Sequence, residues 1–220
     1  MCRFLIIKSS DKINPQTFLK DFAQVCFISR APDGEMQKDG FGVAWKDNGE
    51  WQTKKSLLPI WEEQHLFEEV PETNFLVAHA RGAGFEKDRG SLDFNEPFIE
   101  ESLCFVFNGM IRGVRLKKKV PGKIGSQKVL SLLKEEMILK SPNQALKSVQ
   151  KLILENSREV EGMNVGVIDG DKISVLCQYS ENEKYYTLHF YEDENLTIIC
   201  SEKFGDYNWQ SLEKGQIKTF

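Results

Sequence analysis

A cysteine at position 2, directly after Met1, is the first residue of the chain whose type and position suggest chemistry. An initiator methionine before a small residue is normally removed, so we expect Cys2 to become the first residue. It would then carry both a thiol and a free α-amine, whose pKa of about 7.7–8.0 in model compounds suits a base near neutral pH. A terminal nucleophile activated by its own amine is an established catalytic device. The alternative is that Cys2 is simply a small residue at the start of a strand.

An Asn-Gly pair at Asn108 and Gly109 is the second candidate, and it follows a run of apolar residues. By default this pair predicts a tight turn. The alternative is an oxyanion hole, in which the asparagine amide and the glycine N–H hold a tetrahedral oxyanion. Such donors contribute about 2.7–4 kcal/mol each to catalysis. The residues alone leave both interpretations open.

Arg81 is the third candidate, because it ends a buried run and opens into the glycine-rich segment Gly82-Ala83-Gly84. A guanidinium matches the geometry of a carboxylate and can bind it through two parallel hydrogen bonds. The alternative is a structural ion pair with an internal Asp or Glu. His79, two residues earlier, is predicted to be a buried histidine with satisfied hydrogen bonds rather than a catalytic base.

The elements that must position these residues begin with a short buried strand predicted over residues 2–8. Asn14-Pro15 is typical of a helix start, and apolar residues at helical spacing predict a helix to about residue 29. Asp47-Asn48-Gly49 lies between two strand-like runs and predicts a hairpin. The other elements predicted are a short helix at 61–69, a strand at 75–80, a polar loop at about 81–98, a strand from Leu103 to Phe107, helices from Ser126 to Ile138 and from Pro142 to Asn156, and strands at 163–168, 172–178, 184–191 and 196–200.

This order of elements favours an α+β fold, with helices packed on mostly antiparallel sheet. The 220 residues include 40% hydrophobic residues, which is enough for one sizeable core, and we expect a single domain over residues 1–220. A net charge of −4 lacks the basic excess of nucleic-acid-binding proteins. Apolar runs are too short for a signal peptide or a membrane span, so we expect a cytoplasmic protein that binds neither nucleic acid nor membrane.

Four of the five cysteines lie in apolar stretches and are predicted to be buried free thiols, namely Cys26, Cys104, Cys177 and Cys200. The cysteines lack the paired spacing of a zinc site, and His65, His79 and His189 are widely separated. We therefore expect no metal.

Taken in order, the three candidates and their neighbours resemble the class II glutamine amidotransferases, whose glutaminase domain is an N-terminal-nucleophile hydrolase. The resemblance is greatest to the small stand-alone members and spans nearly the whole chain. The segments that carry it are Met1-Cys2-Arg3, Asp39-Gly40-Phe41-Gly42-Val43-Ala44-Trp45, Ala78-His79-Ala80-Arg81, Asn95-Glu96-Pro97-Phe98, Phe107-Asn108-Gly109, and Ser201-Glu202 with Trp209 downstream.

The resemblance implies a four-layer α-β-β-α sandwich with Cys2 at the start of a central strand. Cys2 would attack the side-chain amide of glutamine, and Asn108 and Gly109 would stabilise the oxyanion. Arg81, with Gly82 beside it, would bind the substrate carboxylate. A γ-glutamyl thioester would form, ammonia would leave, and water would release glutamate. No cofactor is implied, and the ammonia would pass to a partner protein or the reaction would end in simple hydrolysis.

Four positions depart from the family's pattern. Gly84 stands where members carry Thr or Ser, Glu96 where a His precedes Pro-Phe, and Lys128 where a glutamate is common. Ser126 stands where an acidic residue binds the substrate ammonium. It remains a candidate substrate-binding residue, although our preferred interpretation is a helix N-cap. These departures leave two alternatives open: hydrolysis of another γ-glutamyl or linear amide, and a non-catalytic glutaminase-like subunit.

Overall fold

Two antiparallel sheets form the centre of the structure, a computed structural model that describes residues 1–28, 30–32 and 34–220. The strands are β1 (Arg3–Ile13), β2 (Phe41–Asp47), β3 (Glu50–Ser56), β4 (Thr73–Ala80), β5 (Phe98–Glu100), β6 (Leu103–Arg112), β7 (Glu159–Asp169), β8 (Lys172–Cys177), β9 (His189–Glu192), β10 (Leu196–Cys200), β11 (Gln210–Ser211) and β12 (Gln216–Thr219). The first sheet has the order β11-β9-β10-β1-β4-β2-β3, and the second has the order β12-β8-β7-β6-β5.

Three helices lie outside the two sheets, namely α1 (Pro15–Phe27), α2 (Gly125–Met137) and α3 (Pro142–Asn156). The short α4 (Glu183–Tyr186) contributes its tyrosines to the core between the sheets, and 3₁₀ turns lie at Gln64–Glu69, Glu86–Asp88 and Leu92–Phe94. Pro15 begins α1 after Asn14, whose side chain accepts a hydrogen bond from Gln16 N, as the sequence predicts. The helix ends at Phe27, before the expected end near residue 29, and residue 29 itself lies outside the described residues.

Three separate apolar cores account for the four layers. One core packs α1 on the first sheet, one lies between the two sheets, and one packs α2 and α3 on the second sheet. Strand β1 contributes to two of them, because Leu5 faces α1 whereas Phe4 and Ile6 face the second sheet. The α+β class and the four-layer α-β-β-α architecture expected from the sequence are confirmed.

The hairpin between β2 and β3 is also confirmed. Asp47 pairs with Glu50 across a two-residue turn. Asn48 and Gly49 have φ values of 51° and 86°, and a type I′ turn needs positive φ at both of these positions.

Asn108 and Gly109 do not form the tight turn that this pair predicts by default. Strand β6 continues through them to Arg112, because β7 pairs with it over this stretch, with Asn108 opposite Asn164. The pairing of two long strands overrides the local turn preference of the Asn-Gly pair. Both residues therefore lie in an extended strand that pairs with β7.

The strand predicted at 184–191 is wrong over its first half. Residues 183–186 form the helical turn α4, and β9 begins only at His189. Tyr185 and Tyr186 are both buried in the core between the sheets. A strand sends neighbouring side chains to opposite faces, so it could not place both in one core. The helix predicted at 61–69 is present only as the 3₁₀ turn Gln64–Glu69.

The cysteines divide as the sequence predicts. The four in apolar stretches are buried free thiols, whereas Cys2 is half-buried. Within the described part of the chain, no helix is long and apolar enough to cross a membrane.

Candidate active site

Cys2 lies directly before β1, the central strand of the first sheet. Strand β1 pairs with β4 so that Arg3 lies opposite Ala80. This register brings Cys2 beside the chain that leaves β4. The Cys2 Sγ donates a weak hydrogen bond to the carbonyl of Gly82 at 3.6 Å. The pairing of β1 with β4 thus brings together two candidates that are distant in sequence.

Asn108 reaches Cys2 from the second sheet. Its Oδ1 accepts a hydrogen bond from Cys2 N at 3.2 Å, and the residue is fully buried. Its Nδ2 has no hydrogen-bond partner among the described residues. A buried donor without a partner costs about 1–3 kcal/mol, so this amide is suited to a ligand oxygen.

Gly109 follows Asn108 at a point where no side chain fits. A Cβ built there would lie 2.1 Å from the carbonyl oxygen of Gly162 on the neighbouring strand. The glycine therefore allows β6 and β7 to pair closely beside the site.

A cavity of about 130 Å³ opens above Cys2. Five of the six candidate residues line it, and the sixth, Asn108, contacts the nitrogen of Cys2 without lining the cavity. The lining residues are Met1, Cys2, His79, Arg81, Gly82, Ala83, Gly84, Phe85, Asp88, Phe94, Glu96, Phe107, Gly109, Met110, Ile111, Ile124, Gly125 and Ser126.

Arg81 is almost fully buried in the wall of this cavity. Its Nη2 donates a hydrogen bond to the carbonyl of Asp88 at 2.6 Å, and the ring of Phe94 lies 5.7 Å from its Cζ. Its Nη1 has no partner among the described residues. No carboxylate in the described chain forms an ion pair with it, so the structural ion pair considered above is not found. One arm of the guanidinium is free to bind a ligand.

Asp39 holds the loop that follows Arg81. Its carboxylate accepts a hydrogen bond from Ala83 N at 2.7 Å and lies 3.2 Å from Nε of Arg89. At Gly84 the space for a side chain is taken by Met110, whose Cε would lie 2.6 Å from an added Cβ. The terminal methyl group of Met110 therefore fills the space that a side chain at position 84 would need.

His79 and Glu96 form a buried pair that the sequence did not identify as part of the site. Both contact the backbone of Phe107. His79 Nε2 lies 3.1 Å from the carbonyl oxygen of Phe107. The backbone N–H of Phe107 donates a hydrogen bond to the Glu96 carboxylate. Strand β5 pairs with β6 from Phe98 onward, so Glu96 stands in line with Phe107 where the ladder has stopped. The two side chains thus contact the backbone groups of Phe107 that a neighbouring strand would otherwise bind.

The electrostatics of this pair follow from its burial. Loss of solvent raises the pKa of Glu96 to about 7, although the nearby His79 opposes the rise. Burial likewise lowers the pKa of His79. His79 Nε2 is 3.6 Å from the Glu96 carboxylate, and its Nδ1 has no partner among the described residues. The prediction that His79 is buried is confirmed, whereas the prediction that its hydrogen bonds are satisfied is wrong for Nδ1 among the described residues.

The sequence predicts Ser126 as the N-cap of α2, and this prediction is wrong. Ile124 occupies the cap position and Ser126 is the second helical residue. The Gln127 side chain instead reaches back to accept a hydrogen bond from Lys123 N at 2.8 Å. The Ser126 side chain is close to Glu96 instead, where its hydrogen bonding favours the charged carboxyl and opposes the rise of the Glu96 pKa.

Two tyrosines contact the N-terminal segment, although the sequence predicts both of them in a strand. Tyr185 Oη donates a hydrogen bond to the carbonyl of Cys2 at 3.0 Å. Tyr186 Oη lies 2.8 Å from the thioether sulfur of Met1. Their rings pack edge to face, with centroids 5.1 Å apart. Only the unusual Tyr-Tyr pair hints at this role in the sequence.

No family profile and no curated protein matches the chain. Solved structures do match it. A glutamine aminotransferase class-II domain protein from Silicibacter pomeroyi superposes with a TM-score of 0.66 at 17% identity, over 99% of this chain and 94% of that one. A predicted glutamine amidotransferase from Pseudomonas aeruginosa gives 0.55 at 15%, over 100% and 93%.

A larger enzyme contains the same fold as one part. The glutamine phosphoribosylpyrophosphate amidotransferase from B. subtilis matches with a TM-score of 0.69 at 11% identity, over 99% of this chain and 47% of that one. The chain thus has the fold of the class II glutamine amidotransferase domains, as the sequence resemblance predicted.

Proposed function

We propose that the chain hydrolyses an amide by means of Cys2 as an N-terminal nucleophile, with glutamine as the first substrate to test. The observation that carries the proposal is the side chain of Asn108. It contacts the backbone nitrogen of Cys2 through Oδ1, and its buried donor Nδ2 has no partner within the described part of the chain. An oxyanion hole requires such a preorganised donor beside the nucleophile.

Activation requires cleavage of the Met1–Cys2 peptide bond. The nitrogen that now donates to Asn108 at 3.2 Å then becomes a free α-amine held in place by that contact. The amine takes the proton of the thiol, and Sγ attacks the amide carbon. The same amine then returns the proton to the leaving nitrogen, so ammonia departs and a thioester remains on Cys2.

The oxyanion that forms during attack is stabilised by Asn108 Nδ2 and the N–H of Gly109, which lines the same cavity. Water then attacks the thioester and releases the acid. The ammonia passes to solvent or to a partner protein that uses it.

Substrate binding rests on Arg81, with Gly82 beside it. The unpaired Nη1 binds the α-carboxylate of glutamine, which is a charge-assisted contact. Ser126 and Glu96 line the same cavity and offer oxygen atoms to the substrate ammonium. A cavity of about 130 Å³ admits only a small substrate.

A second candidate is hydrolysis of a different γ-glutamyl or linear amide. It is supported by the apolar side chains around the cavity, among them Phe85, Met110 and Ile124, and by the Met110 methyl group that fills the space for a side chain at Gly84. The third interpretation, a non-catalytic subunit, does not explain why the buried Nδ2 of Asn108 and the buried Nη1 of Arg81 both lack partners among the described residues.

The test is a continuous ammonia assay with glutamine, on protein whose N-terminus has been verified as Cys2 by mass. We expect ammonia release that Cys2→Ala abolishes. Cys26→Ala is the matched control, since this thiol lies on α1 and is buried between that helix and the first sheet, and it should retain activity. Absence of ammonia from the processed wild-type protein would contradict glutaminase activity.

A further inference from the structure

Met1 is not a loose end of the chain but fills a niche beside the nucleophile. It is only 7% exposed and belongs to the core between the two sheets. Its sulfur lies 2.8 Å from the hydroxyl of Tyr186. Met1 also lines the cavity above Cys2, so its niche adjoins that cavity.

Gly82 forms one wall of the niche that holds Met1. A Cβ built on Gly82 would lie 2.4 Å from the carbonyl oxygen of Met1 and 2.5 Å from its nitrogen. The glycine therefore makes room for the backbone of Met1, and Tyr186 closes the far end around its side chain. Both walls remain when the Met1–Cys2 bond is cleaved.

The proposed reaction at Cys2 brings the leaving group of the substrate next to this niche. The α-amine must protonate the leaving nitrogen, which requires a distance of about 2.7–3.2 Å between the two nitrogens. Any substituent on the leaving nitrogen therefore starts close to the Cys2 nitrogen. The space that Met1 vacates begins one covalent bond from that same nitrogen. Ammonia would leave this space unused, whereas a primary amine would fill it.

We propose that removal of Met1 opens a leaving-group subsite, and that the chain hydrolyses glutamyl amides whose leaving amine carries an unbranched apolar chain as long as a methionine side chain. The proposal rests on the proposed function and names its substrate class. Tyr186 donates a hydrogen bond to an acceptor atom placed where the Met1 sulfur lies now. Burial raises the pKa of Tyr186, so its hydroxyl stays protonated and remains a donor.

The reaction balances without a further reagent. Cys2 Sγ forms a bond to the acyl carbon, the C–N bond breaks, and the electron pair stays on nitrogen. The thiol proton passes through the α-amine to that nitrogen, and a neutral primary amine departs. Water then cleaves the thioester and restores the thiol together with the free acid.

The experiment compares glutamine with derivatives substituted on the side-chain amide by n-butyl, 2-(methylsulfanyl)ethyl and tert-butyl groups. The processed full chain is used, and glutamate release is measured for all four compounds. We expect kcat/KM for the two unbranched amides to exceed that for glutamine by about tenfold or more, because each buried methylene is favourable. The tert-butyl amide should be poor, because it is too wide for a niche shaped by an unbranched side chain.

Two substitutions test the walls of the niche. Tyr186→Phe should lower the preference for the thioether amide over the n-butyl amide by about 2- to 10-fold, the worth of one neutral hydrogen bond. Tyr179→Phe is the matched control, since Tyr179 is buried in the same core, and should leave this ratio unchanged. Gly82→Ala should lower kcat/KM for both unbranched amides more than for glutamine, because its methyl group enters the vacated space.

The outcomes separate this inference from the proposed function. If glutamine is hydrolysed faster than every substituted amide, the leaving-group subsite is wrong and the proposed function stands. If a verified processed protein cleaves none of the four compounds, both are wrong.

Discussion

Asn108 and Asn164 lie opposite each other on β6 and β7 and are both fully buried, yet their side chains differ in one respect. Asn164 is paired at both ends, because its Nδ2 donates to Tyr186 O and its Oδ1 accepts from Gln178 N. Asn108 is paired only through Oδ1 among the residues that the structure describes. This difference separates a structural asparagine from one that can bind a ligand, and it makes Asn164 an internal control.

The two asparagines should respond to alanine in opposite ways. Asn108→Ala should lower kcat by about 10²–10³, as expected for loss of one oxyanion donor, with a smaller loss of stability than Asn164→Ala because it leaves only the half-buried Cys2 N unpaired. Asn164→Ala should lower the free energy of unfolding by about 1–3 kcal/mol for each partner that it leaves unpaired, with a smaller change in kcat. Steady-state kinetics and urea unfolding of both variants check this. Equal losses of kcat would contradict the role of Asn108.

Arg81 offers a second prediction at the residue scale. Arg81→Lys keeps the positive charge but loses the planar fork, so KM for glutamine should rise about 10- to 100-fold while kcat changes less. Arg89→Lys is the control, since Arg89 is exposed in the same loop and pairs with Asp39. A KM that is unchanged in Arg81→Lys would show that the guanidinium does not bind the substrate.

At the scale of elements, the end of β5 shapes the site. The pairing between β5 and β6 stops at Phe98. Beyond it, the side chains of His79 and Glu96 contact the backbone C=O and N–H of Phe107 in place of a strand. Phe107 directly precedes Asn108, so these two side chains fix the strand segment that carries the proposed oxyanion donor. The price is a carboxyl buried away from water.

This buried carboxyl gives a pH dependence of stability. The pKa of Glu96 is about 7 in the folded protein and about 4.5 for the free side chain. Between these values the folded state keeps a proton that the unfolded state has released, so stability falls as the pH rises from about 4.5 to about 7. The fall should be on the order of 2–3 kcal/mol.

Glu96→Gln cannot titrate, so its free energy of unfolding should lose this fall between pH 4.5 and pH 7. Urea unfolding across this range, with Glu194→Gln on the exposed surface as the control, measures the difference. If the free energy of unfolding changes equally with pH in the wild type and in Glu96→Gln, Glu96 is not a buried carboxyl that stays protonated.

Elements with local signals could be predicted from the sequence. Asn14-Pro15 and the Asn48-Gly49 hairpin set their own geometry, and α3 has the predicted bounds. Elements set by distant pairing could not. Strand β6 continues through Asn108-Gly109 because β7 pairs with it, and α4 forms because both of its tyrosines pack into the core between the sheets.

At the scale of the whole molecule, the sandwich brings together groups that the sequence keeps far apart. Cys2 comes from the first sheet and Asn108 from the second, and 106 positions separate them. No spacing rule predicts this contact, so it was expected only from the resemblance to a known family. Glu96 was noted only as a departure from that family, and its backbone role depends on where β5 ends.

The proposed activity requires Cys2 to be a free N-terminal nucleophile inside this fold. The most direct measurement is the mass of the purified protein before and after treatment with a diazoketone analogue of glutamine, followed by peptide mapping. We predict a protein that begins at Cys2 and takes up one label on that residue, with no labelling of Cys2→Ala. A label on Cys26, Cys104, Cys177 or Cys200, or a processed protein that takes up no label, would contradict the central claim.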